Sequence, residues 1–413
     1  MVIFMCKMKS VTSTNAKRMK KFVILIILSV LLGCGYRQDV LYADELNMYS
    51  KAYAMTDGDN GRILVGKQET EPMANASTTK ILTCIVTLEN CDLSQNVTIS
   101  KKAASQPKVR LGMGEGEEYP LKDMLYGLML ESFNDCAVAI AEHVAGSVEA
   151  FSVLLNEKAR EIGCKDTHFI TPNGLDAEVE DNFHHTTAQD LCLIMAYCTW
   201  QSPQAELFLK ITQTSAYQGS ANGNTYHFTN MNALLNQMEG VLSGKTGYTA
   251  KAGYCYVAAF ERDGKRFCIA LLACGWPNNK NWKWHDAKTL LNYGVKNYEK
   301  QDFYDCEIRK TLSIDGYADK PCFTDINQNM TVDAVGQQKR FSFLQKYGEE
   351  VRKEIIFNPN LTLPIKERQI LGCYYVYIGD YLLAEVPLEA EVACDKWKIT
   401  DILKLIFLKY IDF

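Results

Sequence analysis

The chain has 413 residues, of which 47% are hydrophobic, so it is long enough to bury one large core and a second, smaller one. Its 44 Lys and Arg residues face 49 Asp and Glu residues, which gives a formal net charge of -5 at pH 7. Such a balance offers no basic excess to neutralise phosphates, and we therefore expect no nucleic-acid partner.

The first 43 residues are predicted to be a signal peptide region. A positively charged stretch at 17–21 precedes an apolar run at 22–32, which is too short to span a bilayer comfortably and is typical of an export signal. Two processing sites compete. Residues 31–34 resemble a lipobox that would place a lipid on Cys34, whereas residues 41–43 resemble an ordinary cleavage site. We prefer cleavage after Ala43.

The predicted elements that follow indicate an α+β domain over residues 45–300. Strands are expected at 52–55 and 62–65, joined by a Gly- and Asp-rich turn, and a buried helix is expected to start near Ser77. Alternating apolar segments near the end of the domain predict two more strands. With helices in the middle and strands at both ends, we expect one sheet built from both termini of the domain. The remaining predicted elements are helices at 121–130, 137–144, 150–160, 190–198 and 284–298 and strands at 253–262 and 265–274.

Two further segments complete the predicted organisation. Residues 302–394 alternate short β-like runs with turns, which indicates a small all-β domain. In residues 397–413, apolar side chains recur at steps of three and four, so they gather on one face of a helix interrupted by charge. This pattern predicts a helix that lies in the membrane interface as an anchor rather than one that spans the bilayer. The alternative is that the helix docks on the β-rich domain.

Cysteine and histidine patterns argue against a metal site. The 15 cysteines are scattered through apolar segments such as 191–193, 254–256 and 267–269, without C-x-x-C or zinc spacing, so we expect reduced, buried thiols rather than a disulfide framework. His184 and His185 are adjacent, their side chains should diverge, and H-E-x-x-H does not occur. We predict no metal and no cofactor.

Three short motifs occur in order and together predict nucleophilic catalysis: Ser77-Thr78-Thr79-Lys80, Ser132-Phe133-Asn134 and Lys245-Thr246-Gly247. On a helix, positions three apart share a face, so the Lys80 amine should reach the Ser77 hydroxyl. A lysine can take the serine proton if burial or a second cation lowers its pKa, and Lys245 would be that cation. Ser132 is then expected to relay the proton to the leaving amine, while Asn134 orients Lys80 and a substrate amide.

The third motif is predicted to bind a peptide on an edge strand. Gly247 would let a substrate backbone approach, and Lys245, Thr246 and Thr249 would offer a cation and hydroxyls to a terminal carboxylate. The backbone N–H groups of Ser77 and Tyr248 are the expected oxyanion-hole donors.

These motifs resemble those of the low-molecular-mass penicillin-binding proteins, the D-Ala-D-Ala carboxypeptidases of peptidase family S11. The resemblance extends to further blocks over residues 45–300, at 76–83, 127–130, 134–137, 171–176, 186–191 and 244–254. It implies a β-lactamase/DD-peptidase-like domain followed by a β-rich one, an acyl-enzyme on Ser77, peptidoglycan stem peptides as substrates and β-lactams as inhibitors. It also implies a position on the outer face of the cytoplasmic membrane or in the cell wall space. Phe133 stands where many relatives carry a small residue, which leaves the substrate range open.

Two alternative functions are open on sequence grounds. A β-lactamase of the same fold needs a base that activates water, and class A enzymes supply it from an E-x-x-x-N loop, whereas this chain has Pro172-Asn173-Gly174-Leu175-Asp176 in that region. A non-catalytic sensor of muropeptides or β-lactams would keep the fold and lose the nucleophile, but both Ser77 and Lys80 are present. The carboxypeptidase is the preferred hypothesis.

Overall fold

The computed structural model describes residues 46–305, 308–315, 329–337 and 339–395, with Thr400, Leu403 and Phe407 beyond them. The predicted signal peptide region, with Cys34 and Ala43, and most of the predicted helix at 397–413 lie outside the described residues. The described residues from Leu46 onward belong to one unit of the chain.

Most helices of the described residues lie between positions 80 and 213, with strands before and after them. In chain order, the strands are β1 Ala52–Asp57, β2 Ile63–Lys67, β3 Asn96–Thr98, β4 Glu118–Pro120, β5 Glu178–Val179, β6 Asn182–Phe183, β7 Ala216–Ala221, β8 Asn224–Thr229, β9 Val241–Thr249, β10 Gly253–Arg262, β11 Lys265–Leu272, β12 Tyr298–Asp305, β13 Ile308–Asp315, β14 Asn329–Gly336, β15 Lys339–Lys346, β16 Val351–Phe357, β17 Ile370–Ile378 and β18 Tyr381–Ala390. The helices are α1 Lys80–Asn90, α2 Lys101–Ala104, α3 Leu121–Tyr126, α4 Asn134–Ala145, α5 Val148–Ile162, α6 Ala188–Ala196, α7 Ala205–Gln213 and α8 Trp282–Asn297.

The first sheet joins strands from both ends of its region, as the sequence predicted. Its order is β2-β1-β11-β10-β9, with antiparallel neighbours, so the first hairpin pairs with the last strands of the region. Every residue of β1 is buried, which indicates that both faces of the sheet are covered, and α6 and α8 both pack on β11. Strand β9 lies at the edge of this sheet, and among the strands of the described residues only β10 pairs with it.

Helix α1 forms the centre of the helical region. It is buried from Lys80 to Leu88 and packs against α4, α5 and α7, within a core of apolar residues that also includes the inner face of the sheet. A short 3-10 helix, Ala76–Thr79, precedes α1 and packs against β9. This arrangement brings the start of α1 to the edge strand of the sheet.

The β-rich region has a sheet and a core of its own. Its five strands have the order β13-β14-β18-β17-β16, and β12 pairs separately with β15. Apolar side chains of these strands, among them Val332, Leu371 and Val376, form a second buried cluster. Polar contacts join it to the first region: Asp57, which is buried, accepts from the backbone N–H of Leu344 at 2.7 Å, and Arg62 forms a part-buried ion pair with Glu349 at 2.9 Å.

The structure differs from the predicted elements in places where the sequence pattern is weak. The helix predicted at 121–130 divides into α3 and a π-helical turn, Gly127–Glu131. The hairpin formed by β7 and β8 was not predicted, because its alternation is carried by small and polar residues. Among the described residues, no single helix is long and apolar enough to cross a membrane, although α4 and α5, bent by 85°, pass that test as a pair.

Candidate active site

The Lys80 side chain reaches the Ser77 hydroxyl at the start of α1. Ser77 lies in the 3-10 helix and Lys80 begins the α-helix, so the two residues share a face, and Lys80 Nζ lies 2.8 Å from Ser77 Oγ. Ser77 is therefore not the N-cap of this helix. The preceding residue, Ala76, has a φ of 50°, a left-handed conformation that is costly for a residue with a Cβ and is typical of functional turns.

Two carbonyl oxygens fix the Lys80 amine. Nζ lies 2.9 Å from Asn134 Oδ1 and 2.7 Å from the backbone oxygen of Asn173, and neither oxygen can donate a hydrogen. A neutral amine has two hydrogens and one lone pair. If the two carbonyls take the hydrogens, the lone pair is left for the hydroxyl hydrogen of Ser77.

Electrostatics favours this neutral amine. The side chain of Lys80 is fully buried, and burial is the main cause that holds its pKa well below the ordinary value; the charge of Lys245 lowers the pKa further. Asp135 and Cys136 act in the opposite direction and are weaker causes. Burial and a second cation, either of which would serve the predicted role of Lys80, thus both lower the pKa of its amine.

Ser132 and Lys245 form a second pair. Lys245 Nζ donates to Ser132 Oγ at 2.9 Å and to the backbone oxygen of Thr246 at 2.9 Å. Ser132 lies between the π-helical turn and α4 with a φ of 68°, again left-handed. Burial lowers the pKa of Lys245 to about 7, so this side chain titrates near neutral pH.

Asn134 and Asp135 join the second motif to the loop before it. Asn134 Nδ2 donates to the backbone oxygen of Pro107 at 3.2 Å, while its Oδ1 holds Lys80. The Asp135 carboxylate accepts from the backbone N–H groups of Leu111 at 3.0 Å and Gly112 at 2.8 Å. The amide of Asn134 is thereby fixed in the orientation that presents its oxygen to Lys80.

Gly247 brings β9 against the Ser77 turn. A Cβ built on Gly247 would lie 2.9 Å from the backbone nitrogen of Ser77 and 3.0 Å from the backbone oxygen of Asn75. The glycine therefore allows the strand to approach the nucleophile turn, a different reason from the close approach of a substrate backbone that the sequence suggested.

The other predicted residues of β9 lie at the exposed end of the strand. Thr246 is half-buried, and Tyr248 is 41% exposed with its ring 4.7 Å from that of Tyr254. The hydroxyl of Thr249 donates to Asp176 Oδ1 at 3.1 Å and accepts from the backbone N–H of Ala252. In this structure Thr249 is thus already bonded to a carboxylate of the protein.

The loop Pro172–Gly174 is part of the site and was not predicted to be. Besides the Lys80 contact, the backbone oxygen of Asn173 lies 3.4 Å from Ser77 Oγ, and the Asn173 side chain is buried and bonded to Gln106. Gly174 has a φ of 78°, and a Cβ on it would fall 1.9 Å from the backbone oxygen of Ala76. Only glycine fits there.

Phe133 does not stand free beside the cleft. Its ring packs edge-on against Phe228, with ring centroids 5.4 Å apart, and belongs to the partly buried side chains that pack on the main core. Gly127 provides the space, because a Cβ there would lie 2.9 Å from the Phe133 ring.

Within the described part of the chain, no group of three or more His, Cys, Asp or Glu side chains is placed to hold a metal ion. The eleven cysteines in that part are unpaired thiols, most of them buried.

Comparison with known proteins assigns the chain to a family. The family model described as D-alanyl-D-alanine carboxypeptidase, peptidase family S11, matches residues 39–274. The chain belongs to this family. It is similar to the D-alanyl-D-alanine carboxypeptidase DacF of Bacillus subtilis, with 29% identity over 90% of this chain and 94% of the relative. It is also similar to DacB2 of Mycobacterium tuberculosis, with 32% identity over 59% of this chain and 82% of the relative.

Solved structures show the same fold. The D-alanyl-D-alanine carboxypeptidase DacD of Francisella tularensis superposes with a TM-score of 0.64 at 24% identity, covering 88% of this chain and 98% of that one. A D-alanyl-D-alanine carboxypeptidase of Mycobacterium tuberculosis gives a TM-score of 0.56 at 28% identity, covering 61% of this chain and 92% of that one. The predicted fold class, an α+β DD-peptidase-like region followed by a β-rich one, is confirmed.

Proposed function

We propose that this protein is a serine-type D-Ala-D-Ala carboxypeptidase that removes the terminal D-alanine from peptidoglycan pentapeptides through an acyl-enzyme on Ser77. The observation that carries the proposal is the 2.8 Å contact between Ser77 Oγ and a buried lysine whose pKa is lowered. Membership of the carboxypeptidase family supports the substrate class.

Acylation begins with Lys80 as the base. Lys80 Nζ takes the proton of the Ser77 hydroxyl, and Oγ attacks the carbonyl carbon of the penultimate D-alanine. The backbone N–H groups of Ser77 and Tyr248 are the proposed donors to the oxyanion. The C–N bond then breaks as the proton passes from Lys80 through Ser132 to the leaving amine, and free D-alanine departs. In the second half, Lys80 takes a proton from a water molecule, whose oxygen attacks the ester carbonyl carbon. The C–Oγ bond then breaks, Lys80 returns the proton to Ser77 Oγ, and the shortened peptide leaves as a carboxylic acid.

Substrate is proposed to bind along β9. As the edge strand of the sheet, β9 can pair with an extended peptide, and Asn134, whose oxygen contacts Lys80, is the proposed contact for an amide of that peptide. Lys245, Thr246 and Thr249 are the proposed contacts for the terminal carboxylate, which would have to compete with Asp176 for the hydroxyl of Thr249. β-Lactams would enter the same cleft and acylate Ser77. Hydrolysis needs neither a metal nor a cofactor in this scheme.

The two alternative functions, a β-lactamase and a non-catalytic sensor, are less well supported by the residues around Ser77. In a β-lactamase, a carboxylate near the serine would activate the deacylating water; here the loop presents the backbone oxygen of Asn173 to Ser77 and Lys80. A non-catalytic sensor does not need a base beside its serine, and burying the amine of a lysine costs free energy.

Location and domain roles are also part of the proposal. We infer that the chain is exported, that residues 45–300 form the catalytic domain and 302–394 a β-rich domain, and that residues 397–413 hold the enzyme on the outer face of the cytoplasmic membrane. Leu403 and Phe407, which are 58% and 61% exposed, support the last point, because their spacing of four places both on one helical face.

Labelled penicillin tests the proposed nucleophile. After incubation and digestion, the adduct should map to the peptide that contains Ser77, and Ser77→Ala should not be labelled. Ser105→Ala, which removes an exposed hydroxyl at the end of α2, is the matched control and should label like the native protein. An adduct on any other residue overturns the assignment.

A further inference from the structure

A buried histidine links the turn that carries Lys80 to the loop whose backbone oxygen holds the Lys80 amine. His184 is 2% exposed and lies in the segment that follows β6, with its ring stacked on Phe169 at a centroid distance of 5.0 Å. Its Nδ1 accepts from the backbone N–H of Ile170 at 2.9 Å, and its Nε2 lies 2.8 Å from Thr79 Oγ1. Since Nδ1 is an acceptor, Nε2 carries the hydrogen and donates to Thr79.

Both ends of this bridge are next to the base. Thr79 is the residue before Lys80, and its hydroxyl also accepts from Asn75 Nδ2 and donates to the backbone oxygen of Ala76, so all its hydrogen-bonding positions are used. Ile170 begins the loop that leads to Asn173, whose backbone oxygen lies 2.7 Å from Lys80 Nζ. The imidazole therefore ties the turn that carries Ser77 and Lys80 to the loop that holds the amine.

The His184 imidazole stays neutral near neutral pH, because its pKa is far lower. The pKa of His184 is lowered to about 3, mainly by burial and to a smaller extent by the neighbouring His185 and His168. A neutral imidazole has one donor and one acceptor, as the two contacts require. A protonated ring would present a second N–H to Ile170 and break that bond.

We propose that His184 is a positioning residue, which keeps Lys80 dry and aligned with Ser77 by joining Thr79 to the Ile170–Asn173 loop. Its ring nitrogens bond to Thr79 and to the backbone N–H of Ile170, so it acts on Lys80 through these residues. The inference rests on the proposed function, because it needs Lys80 to be the base. Thr83, which donates to the backbone oxygen of Pro172 at 2.7 Å, is a second tie between the same segments, so loss of His184 should loosen the loop without releasing it.

Substitutions can separate the two bonds. His184→Asn keeps an acceptor near the place of Nδ1, His184→Gln keeps a polar group near the place of Nε2, and His184→Ala removes both. His185 is the matched control, since it is the adjacent histidine and its ring contacts the backbone oxygen of Phe183 instead. The measurement is the rate constant of acylation by labelled penicillin per active site, followed over pH, with the number of active sites titrated separately.

His184→Ala should acylate roughly 10- to 100-fold more slowly per active site, because small misplacements of catalytic groups cost about that much. The acidic limb of its pH profile should move to higher pH, since water that enters beside Lys80 raises the pKa of the amine. The charged and titratable groups that face Lys80, namely Lys245, Asp135 and Cys136, are unchanged in these variants. His184→Asn and His184→Gln should be intermediate, and His185→Ala should match the native protein.

An unchanged rate constant and pH profile per active site in His184→Ala would overturn the inference, even if fewer active sites remain, because loss of sites alone indicates a purely structural role. If His184→Ala does not fold, the Asn and Gln variants decide by the same criterion. Failure of the native protein to be labelled, or labelling of Ser77→Ala, would instead refute the proposed function.

Discussion

Gly174 and Gly247 both approach the backbone nitrogen of Ser77 so closely that neither has room for a side chain. A Cβ on Gly174 would lie 3.0 Å from that nitrogen and one on Gly247 would lie 2.9 Å from it. The nitrogen is the proposed oxyanion donor of the nucleophile, so two glycines, one from a loop and one from a strand, set the position of one reacting group.

Gly247→Ala should slow acylation while leaving the fold in place. The added methyl group must displace the Ser77 turn or β9, and a shift at an oxyanion donor costs roughly 10²- to 10³-fold in rate. Acylation by labelled penicillin measures the loss, and thermal unfolding measures the stability of the same variant. A native acylation rate in Gly247→Ala would show that this contact does not set the donor.

Gly174→Ala should reduce both stability and acylation, because it combines a left-handed backbone with a Cβ 1.9 Å from the backbone oxygen of Ala76. Gly146→Ala is the matched control: its φ of 80° is similar, but no atom lies within 4 Å of the added carbon. In the control, the free energy of unfolding should fall by only roughly 1 to 2 kcal/mol, the cost of the left-handed backbone for a residue with a Cβ. Equal losses in both variants would contradict the steric argument.

Lys80→Arg should slow acylation severely even though it keeps a long basic side chain at this position. A guanidinium does not deprotonate in proteins, so it cannot take the proton of Ser77, and loss of a general base costs about 10²- to 10⁴-fold. Penicillin labelling over long incubation gives the residual rate. Rapid labelling of this variant would mean that another group is the base.

The pH profile of acylation should be bell-shaped. Lys80 must be neutral, and because its pKa is lowered, the acidic limb should lie well below the ordinary lysine range. Lys245 must be charged to bind a carboxylate, and with a pKa of about 7 it loses its proton as pH rises through neutrality. The rate should therefore fall above about pH 7. A rate that keeps rising far into the alkaline range would contradict these roles.

The side-chain contacts of the three motifs follow from the sequence more directly than the rest of the site does. The spacing of Ser77 and Lys80 is enough to predict their contact, because three residues bring two side chains to one helical face. The contribution of Asn173 is made by a backbone oxygen, which no side-chain pattern reveals. A Pro-Asn-Gly-Leu run predicts a turn, but not what the turn touches.

The environments of His184 and His185 could not be predicted from the sequence either. The adjacency of His184 and His185 indicates only that they are unsuited to metal binding, and the structure separates them: one is buried against Thr79 and the other is half-exposed. Burial of an isolated histidine depends on long-range packing, here on Phe169 and the Ser77 turn. The hydrogen bond of Thr249 also depends on long-range packing, because its partner Asp176 lies 73 positions away in the sequence.

Deleting Lys398 to Phe413 should release active enzyme into the soluble fraction of an export host. Exposed Leu403 and Phe407 would each contribute about 1.5 to 3 kcal/mol on burial in the membrane interface. Fractionation with penicillin labelling measures both location and activity. Cys34→Ser is the companion variant, and release by that change alone would assign the anchor to a lipid on Cys34. A truncated protein that misfolds would favour docking on the β-rich region.

Release of D-alanine from a muramyl pentapeptide tests the central claim most directly. The native protein should liberate one terminal D-alanine per peptide at a rate that a metal chelator does not change, and Ser77→Ala should liberate none. A parallel assay with a β-lactam should give acylation with slow turnover. Strong inhibition by the chelator, full activity in Ser77→Ala, or rapid β-lactam hydrolysis without D-alanine release would contradict the account.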